Sequence, residues 1–298
     1  MRVAVSGASG LIGSALCRAL EERGDHVVRL VRRTPRAGEV AWDPGSRALD
    51  GRSLAGVEAA VHLAGAGIGD RRWTPARRAL LVSSRVDSTT LLAATLAGLD
   101  PQPGVLVNAS AVGIYGDRGA EELNEASPAG TGFLAELCRR WEAATASAGA
   151  AGIRTVCLRS GIVLARSGGA LARQMPLFRL GLGGRLGSGR QWVSWISITD
   201  EVNVVLHALD HETLSGPVNA VAPNPVTNAQ FTSALGRAVH RPAVLAVPAR
   251  ALRLALGREL VDEVLLASQR ARPTALENGG FAFSHPDVDS ALADVIGG

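Results

Sequence analysis

Residues 2–13, Arg2-Val3-Ala4-Val5-Ser6-Gly7-Ala8-Ser9-Gly10-Leu11-Ile12-Gly13, decide the fold. Arg2–Ser6 reads as a short buried strand, and Leu11–Arg23 has the apolar spacing of a helix. The three glycines, spaced GxxGxxG, therefore fall in a strand-to-helix turn. In such a turn the first glycine permits the tight reversal, and the second lets backbone N–H groups approach a pyrophosphate. The third allows close packing of helix on sheet. The helix N-terminus adds partial positive charge for an anion. Gly7, Ser9, Gly10, Leu11, Ile12 and Gly13 are thus the candidate dinucleotide cradle. A bare glycine triplet would fit an empty turn as well; the position between strand and helix at the start of the chain favours the cofactor.

The same alternation continues outward. His26–Arg32, Ala59–Leu63, Gly104–Asn108 and Arg154–Leu158 read as strands, and Pro75–Ala97 and Gly132–Ala148 as helices. Strands alternating with helices at this spacing build right-handed βαβ units and a parallel sheet covered on both faces. The expected fold is α/β, a Rossmann-type doubly wound parallel sheet with a smaller C-terminal α/β substrate-binding region. After Arg159 the rhythm breaks. Ser167–Arg190 is rich in glycine, Thr199–Asp210 returns to a helix, and further helices are expected at Asn228–Val239, Pro248–Leu256 and the C-terminus. The expected division is a dinucleotide-binding domain over 1–160, with return of the chain around 197–220, and a substrate-side region over 161–298.

Composition narrows the chemistry. With 298 residues, 47% hydrophobic and 19% charged, the chain can bury a large core and does not read as disordered. No apolar run reaches the roughly 18 residues of a membrane span. Cys17, Cys138 and Cys157 are too widely spaced for a disulfide framework or a CxxC metal site, which fits a reducing cytoplasm. The 6 histidines show no ligand spacing, so no metal is expected. The net charge of +4 is not gathered in a stripe, so nucleic acid is not implied. All 31 basic residues are arginine. Without a lysine there is no Schiff base, no pyridoxal phosphate attachment and no catalytic lysine. The only tyrosine is Tyr115.

The second strand bears on which dinucleotide binds. An NAD binder usually ends this strand with Asp or Glu on the ribose 2′-hydroxyl. Here it ends Val31-Arg32-Arg33, and guanidinium groups suit a 2′-phosphate through charge-assisted, bidentate hydrogen bonds. NADP is the expected cofactor, held by Arg32 and Arg33; the alternative is a solvated pair of surface arginines.

Two later stretches, Val61-His62-Leu63-Ala64-Gly65 and Asn108-Ala109-Ser110-Ala111-Val112-Gly113-Ile114-Tyr115-Gly116, each close a strand with small residues. With the glycine turn they resemble the extended short-chain dehydrogenase/reductases, the superfamily of nucleotide-sugar epimerases. Residues 71–89, 133–142, 159–171, 187–202, 222–231 and 265–295 resemble one atypical branch, usually labelled epimerase-family proteins of unassigned activity. The last of these stretches is that branch's characteristic C-terminal segment. The resemblance implies cofactor contacts at Leu63, Ala64, Gly65, Arg85 and Val163; a surface ion pair fits Arg85 as well, and a buried strand extension fits Val163 as well. It also implies an active-site serine near Ser110, though one residue out of register, and a Tyr-Gly pair at Tyr115 that lines the site.

The departure from the superfamily is sharp. Typical members carry Tyr-x-x-x-Lys on the helix after the fifth strand, the lysine lowering the tyrosine pKa for proton transfer. The matching positions are Leu134 and Cys138. Ser110 and Tyr115 remain the catalytic candidates, with Tyr115 expected to position substrate or cofactor rather than act as the acid. Glu136 is the better acid candidate of the helix if it faces inward, with solvated glutamates at 136 and 142 the default. Cys138 is expected to be a buried, inert thiol. Trp192 and Trp195 alternate with apolar residues and suit core packing better than substrate stacking. The glycines between 168 and 189 fit a mobile flap or a surface loop equally. The expected function is an NADP-dependent oxidoreductase or epimerase-like enzyme acting on an unidentified small molecule. The alternative is a non-catalytic dinucleotide-binding regulator. No feature of the sequence sets an oligomeric state.

Overall fold

The computed structural model describes residues 1–297. In chain order the first elements are β1 (Arg2–Ser6), α1 (Leu11–Glu22), β2 (His26–Val31), β3 (Glu39–Asp43), β4 (Ala48–Leu49), β5 (Ala59–His62), α2 (Pro75–Ala97) and β6 (Val105–Ala111). Then follow β7 (Glu122–Leu123), α3 (Phe133–Ala143), α4 (Ala146–Ala150), β8 (Arg154–Ser160), β9 (Ile162–Leu164) and α5 (Gly169–Arg179). After these come β10 (Gly184–Leu186), β11 (Trp192–Val193), β12 (Trp195–Ser197), α6 (Ile198–Asp210) and β13 (Gly216–Val218).

Eight strands form one sheet in the order β13-β8-β6-β5-β1-β2-β3-β4. Every pairing is parallel except the β3–β4 hairpin. The apolar run of β1 explains its central place. Val3 and Val5 pack with Leu16, Cys17 and Leu20 of α1 and with Val204, Val205 and Ala208 of α6. Ala4 between them faces the other way, onto Leu92, Ala93 and Leu96 of α2. A strand buried on both faces cannot alternate with polar residues, so it reads as a continuous apolar run. The expected α/β, doubly wound, Rossmann-like architecture is the one observed.

The structure adds one hairpin and alters two expectations. The β3–β4 hairpin was not foreseen, because Glu39–Asp43 places charges at both strand ends and only Trp42 is deeply buried. The helix expected over 132–148 is two helices, α3 and α4. The Thr145 hydroxyl donates to the Glu142 carbonyl at 2.7 Å where α3 ends, and a side-chain bond of this kind competes with continued helix. The glycine-rich stretch is not a simple loop, since it contains α5 and β10 between glycine turns.

The second half of the chain is tied to the first. β13 returns to pair with β8 as the sheet's edge. Asp200, fully buried near the start of α6, accepts the backbone N–H groups of Ser284 at 2.8 Å and His285 at 2.9 Å. These contacts dock the C-terminal segment. No described helix is long and apolar enough to cross a membrane.

Candidate functional site

The glycine turn stands at the carboxyl end of β1, and its three glycines do three different jobs. Gly7 has φ +70°, and a Cβ there would lie 2.7 Å from the Leu63 carbonyl carbon. The turn therefore rests directly on the Leu63–Ala64 backbone beyond β5. A Cβ on Gly13 would come within 2.2 Å of the Gly7 carbonyl oxygen, so this glycine sets the helix-to-sheet approach. Gly10 differs. Its φ is −77°, its N–H donates to the Gly7 carbonyl at 2.9 Å, and a Cβ would meet only that carbonyl, at 3.2 Å. Ser9 and Gly10 are exposed, and Leu11 and Ile12 are half-buried. No side chain caps α1, and no acid occupies its first turn. Its first N–H groups are left for a ligand, the arrangement that receives a pyrophosphate.

A roof forms beside this turn. Cβ atoms on Gly168 and Gly169 would lie 3.1 Å and 3.2 Å from methyl carbons of Leu11, which brings the start of α5 against the start of α1. Farther along α5, Arg173 donates to the Gly69 carbonyl at 2.6 Å and pairs with Asp70 at 2.5 Å. The loop after β5 and the helix after β9 are thus joined over the carboxyl edge of the sheet. Val163 on β9 is half-buried and packs against the same core as Ala8 and Leu63.

The two arginines after β2 part company. Arg33 forms a two-pronged ion pair with Glu39, at 2.7 Å and 2.6 Å. Arg32 is exposed and makes no ion pair among the described residues. The structure thus sets the two arginines apart: among the described residues Arg32 carries no partner, whereas the exposed Arg33 is engaged by Glu39 of β3.

The candidates for proton transfer are held in a buried network. Arg159, at the end of β8, donates to both carboxylate oxygens of Glu142 at 2.9 Å, and to the Tyr115 oxygen at 3.0 Å. Ser110 donates to the same Glu142 at 2.7 Å. Tyr115 is 0% exposed; its hydroxyl donates to Asn219 Oδ1 at 2.7 Å, with the Asn124 carbonyl 3.0 Å away. Burial raises the phenol pKa further, only partly opposed by the charge of Arg159. The expectation that Ser110 and Tyr115 touch a substrate is corrected. Both hydroxyls are spent inside the protein, and Tyr115 locks β8 and the Asn219 turn together. Glu142 is no solvated helix-face residue. Glu136 is: it lies on the surface in an ion pair with Arg139.

Leu134 and Cys138 lie where the resemblance places the missing dyad. Cys138 is 3% exposed, and burial pushes its thiol up to about 12, so it stays neutral. Trp195 is fully buried and donates to the Asn224 carbonyl at 3.2 Å. Trp192 is only half-buried and stacks under Arg270 at 4.6 Å, so it is not a core residue.

Arg85 is the unusual charge. It is 8% exposed, its Cζ stands 5.0 Å over the Trp141 ring, and a Cβ on Gly65 would lie 3.2 Å from that carbon. Its hydrogen bond within the protein is from Nη1 to the Leu81 carbonyl at 3.3 Å. No ion pair with a carboxylate forms among the described residues, and burial lowers its pKa to about 10, with Arg77 adding to the effect.

Two buried polar groups escaped the sequence reading. His62 bridges Ser6 at 2.5 Å and Ser88 at 3.0 Å; burial holds its pKa near 3, so it is a neutral link between β1, β5 and α2. Glu201 on α6 is 1% exposed and accepts from Ser160 at 2.7 Å, while its second oxygen has no partner. His62 is a polar residue within an apolar stretch, but Glu201 follows Thr199 and Asp200 and reads like any first-turn acid, so no local pattern marks either as buried.

Comparison with known proteins extends this picture. The profile of the NAD dependent epimerase/dehydratase family matches residues 3–221, and that of a domain of unknown function, DUF1731, matches residues 247–295. An epimerase family protein of Mycobacterium tuberculosis is 50% identical over 291 residues, covering 97% of this chain and 96% of its own. The human epimerase family protein SDR39U1 is 37% identical over 299 residues, covering 99% of this chain and 100% of its own. The crystal structure of the human protein with NADPH aligns at a TM-score of 0.91 and 35% identity, covering 100% of this chain and 99% of that one. With its glycine turn, parallel sheet and C-terminal segment all accounted for, the chain belongs to the NAD dependent epimerase/dehydratase family.

Proposed function

We propose that this protein is an NADP-dependent oxidoreductase or epimerase-like enzyme acting on a small molecule. The observation that carries the reading is the pairing of an uncapped α1 N-terminus with the unpaired Arg32 at the end of β2. The first suits a pyrophosphate, and the second suits a 2′-phosphate where an NAD binder would place an acid. The human relative crystallised with NADPH supports the same choice. Bound NADP would supply hydride chemistry. Gly7–Gly13 would hold its pyrophosphate, Arg32 its 2′-phosphate, and Leu63, Ala64, Gly65, Arg85 and Val163 would line its path along the carboxyl ends of the strands. The Arg173–Asp70 pair would tie the loop after β5 to α5 beside that path.

A second reading has one specific observation in its favour. Ser110 and Tyr115 are both engaged internally, and neither Leu134 nor Cys138 can transfer a proton at neutral pH. A cofactor-binding regulator without turnover would need no such group. NADPH oxidation over a panel of carbonyl compounds separates the two readings.

Cofactor choice is tested by titrating NADPH and NADH into the protein and following nicotinamide fluorescence. NADPH binds more tightly to the wild type, and Arg32→Ala weakens NADPH alone by about ten- to a hundredfold. Arg33→Ala has a smaller effect, because its guanidinium already serves Glu39. Equal losses for both cofactors on replacing Arg32 would reject the phosphate assignment.

A further inference from the structure

The net charge of +4 conceals a division of the chain. Residues 160–199 and 213–258 together hold ten arginines and no aspartate or glutamate. The fold brings the two stretches together: β10 pairs with the strand Leu245–Val247, and Arg241 donates to the Arg179 carbonyl at 3.2 Å. Most of the large apolar side chains left exposed belong to them as well, Leu177, Leu180, Leu182, Val244 and Leu254 included. A surface both cationic and apolar suits a ligand that joins an anionic group to a hydrocarbon part.

One cavity in this lobe has the form such a ligand needs. It measures about 240 Å³ and lies where α5 meets the C-terminal helix, Val288–Gly297. Leu171 and Met175, one turn apart on α5, and Ile296 of the C-terminal helix form an apolar wall. That wall is firmly held, since Leu171 and Met175 also pack with Leu292 and Val295 in one buried cluster. The exposed Arg166 and Arg179 line the cavity too, and no acid takes part. Arg173, between these two in the chain, pairs with Asp70, whereas Arg166 and Arg179 form no ion pair among the described residues. Asp294, the acid nearest Ile296 in the chain, lies 3.7 Å from His285.

The chemistry of the lining sets the class of ligand. Guanidinium groups favour carboxylate or phosphate oxygens, yet exposed ones hold a bare ion weakly. Selection therefore falls to the apolar wall, against which a hydrocarbon chain leaves water. At roughly 30 Å³ for each non-hydrogen atom, the volume takes about eight of them, the size of a carboxylate of about six carbons. The only polar side chains in the lining are the two arginines, which neither accept nor release protons at neutral pH. The cavity can bind, but it offers no group for chemistry.

We propose that this cavity is a binding site for a short-chain carboxylate, its charged end held by Arg166 and Arg179 and its hydrocarbon chain laid on Leu171, Met175 and Ile296. None of these residues is among those assigned to the cofactor, so the inference stands apart from the cofactor reading.

Calorimetric titration of sodium hexanoate into the full chain tests the site, with acetate, inorganic phosphate and 1-hexanol compared at equal ionic strength. Hexanoate should bind saturably at one site. Each buried methylene is worth roughly fourfold in binding, so acetate, with four fewer, should bind at least about tenfold more weakly. Phosphate, which has no apolar part, and hexanol, which has no charge, should each fall at least about tenfold behind as well. Arg166→Ala and Arg179→Ala should each weaken hexanoate about fivefold or more. Both side chains are exposed, so these variants keep the wild-type melting temperature. Arg185 and Arg190 are exposed arginines of the same lobe outside the cavity, and replacing both by alanine should leave hexanoate binding unchanged.

The proposal is overturned if phosphate or acetate binds as tightly as hexanoate, since the lobe would then attract any anion. Equal binding of hexanol overturns it too, because the arginines would contribute nothing. Unchanged hexanoate affinity in both arginine variants, or no saturable binding up to about 10 mM, has the same consequence.

Discussion

Gly10 and Gly13 are three residues apart in one turn and predict opposite outcomes. At Gly10, φ of −77° suits any residue, and the only neighbour of a new Cβ is one carbonyl oxygen at 3.2 Å. Gly10→Val should leave the ligand-free melting temperature near normal while filling the space a pyrophosphate needs. Gly13→Val must move the Gly7 backbone, 2.2 Å from its Cβ, and should prevent folding. Calorimetry and NADPH titration on both variants check this; unchanged NADPH affinity in Gly10→Val would remove the cradle from this turn. Tyr115 offers a second test. Tyr115→Phe leaves Asn219 Oδ1 and one Arg159 nitrogen short of a buried partner, a loss of about 1–3 kcal/mol. The expected result is a clear drop in stability, with any turnover reduced less than about a hundredfold. A loss of several thousandfold at unchanged stability would return the phenol to the chemistry.

Helix α6 shows what an element hides. Its spacing was legible: Val202, Val205 and Leu209 mark a buried stripe, and Ser197 caps it by accepting the Asp200 N–H at 3.0 Å. What the spacing could not reveal is that Glu201 lies on the buried side, with burial raising its pKa to about 7. Its native pKa is above the unfolded value of 4.5, so the folded protein holds the proton more tightly. The stabilisation is fully present below about pH 4.5, declines as pH rises, and is gone above about pH 7, a span of about 3 kcal/mol. Glu201→Gln should therefore melt higher than wild type at pH 8, with the difference closing toward pH 5. Parallel melting curves across that range would place Glu201 in contact with water. The same limit applies elsewhere in the chain. The glycine turn was readable because its residues act within one local turn. Glu142 and Arg159 were not, because their pairing joins a helix to a strand and depends on tertiary packing. Arg33 looked like a phosphate ligand until β3, unforeseen, brought Glu39 to it.

At the scale of the molecule, contacts cross the expected division at residue 160, as a second unit packed closely on the first requires. Strand β13 comes from the second half and covers the edge of β8. Asn219, just after it, donates from Nδ2 to the Arg272 carbonyl at 2.9 Å. The Glu125 carboxylate in the first half accepts the Asn219 and Ala275 N–H groups at 3.0 Å and 3.1 Å. Arg78 on α2 pairs with Glu259 at 3.2 Å. A chain ending at residue 160 would leave β8 as an open edge and expose Val204, Val205 and Ala208's partners on the sheet, so it should aggregate rather than fold. The full chain should unfold in one calorimetric transition, its van't Hoff and calorimetric enthalpies agreeing. NADPH at about a hundred times its dissociation constant should stabilise that whole transition by about 2.7 kcal/mol, although the proposed cradle lies in the first half alone. Two transitions, only one of them moving with NADPH, would show that the halves are separate domains and that these buried ties do not couple them.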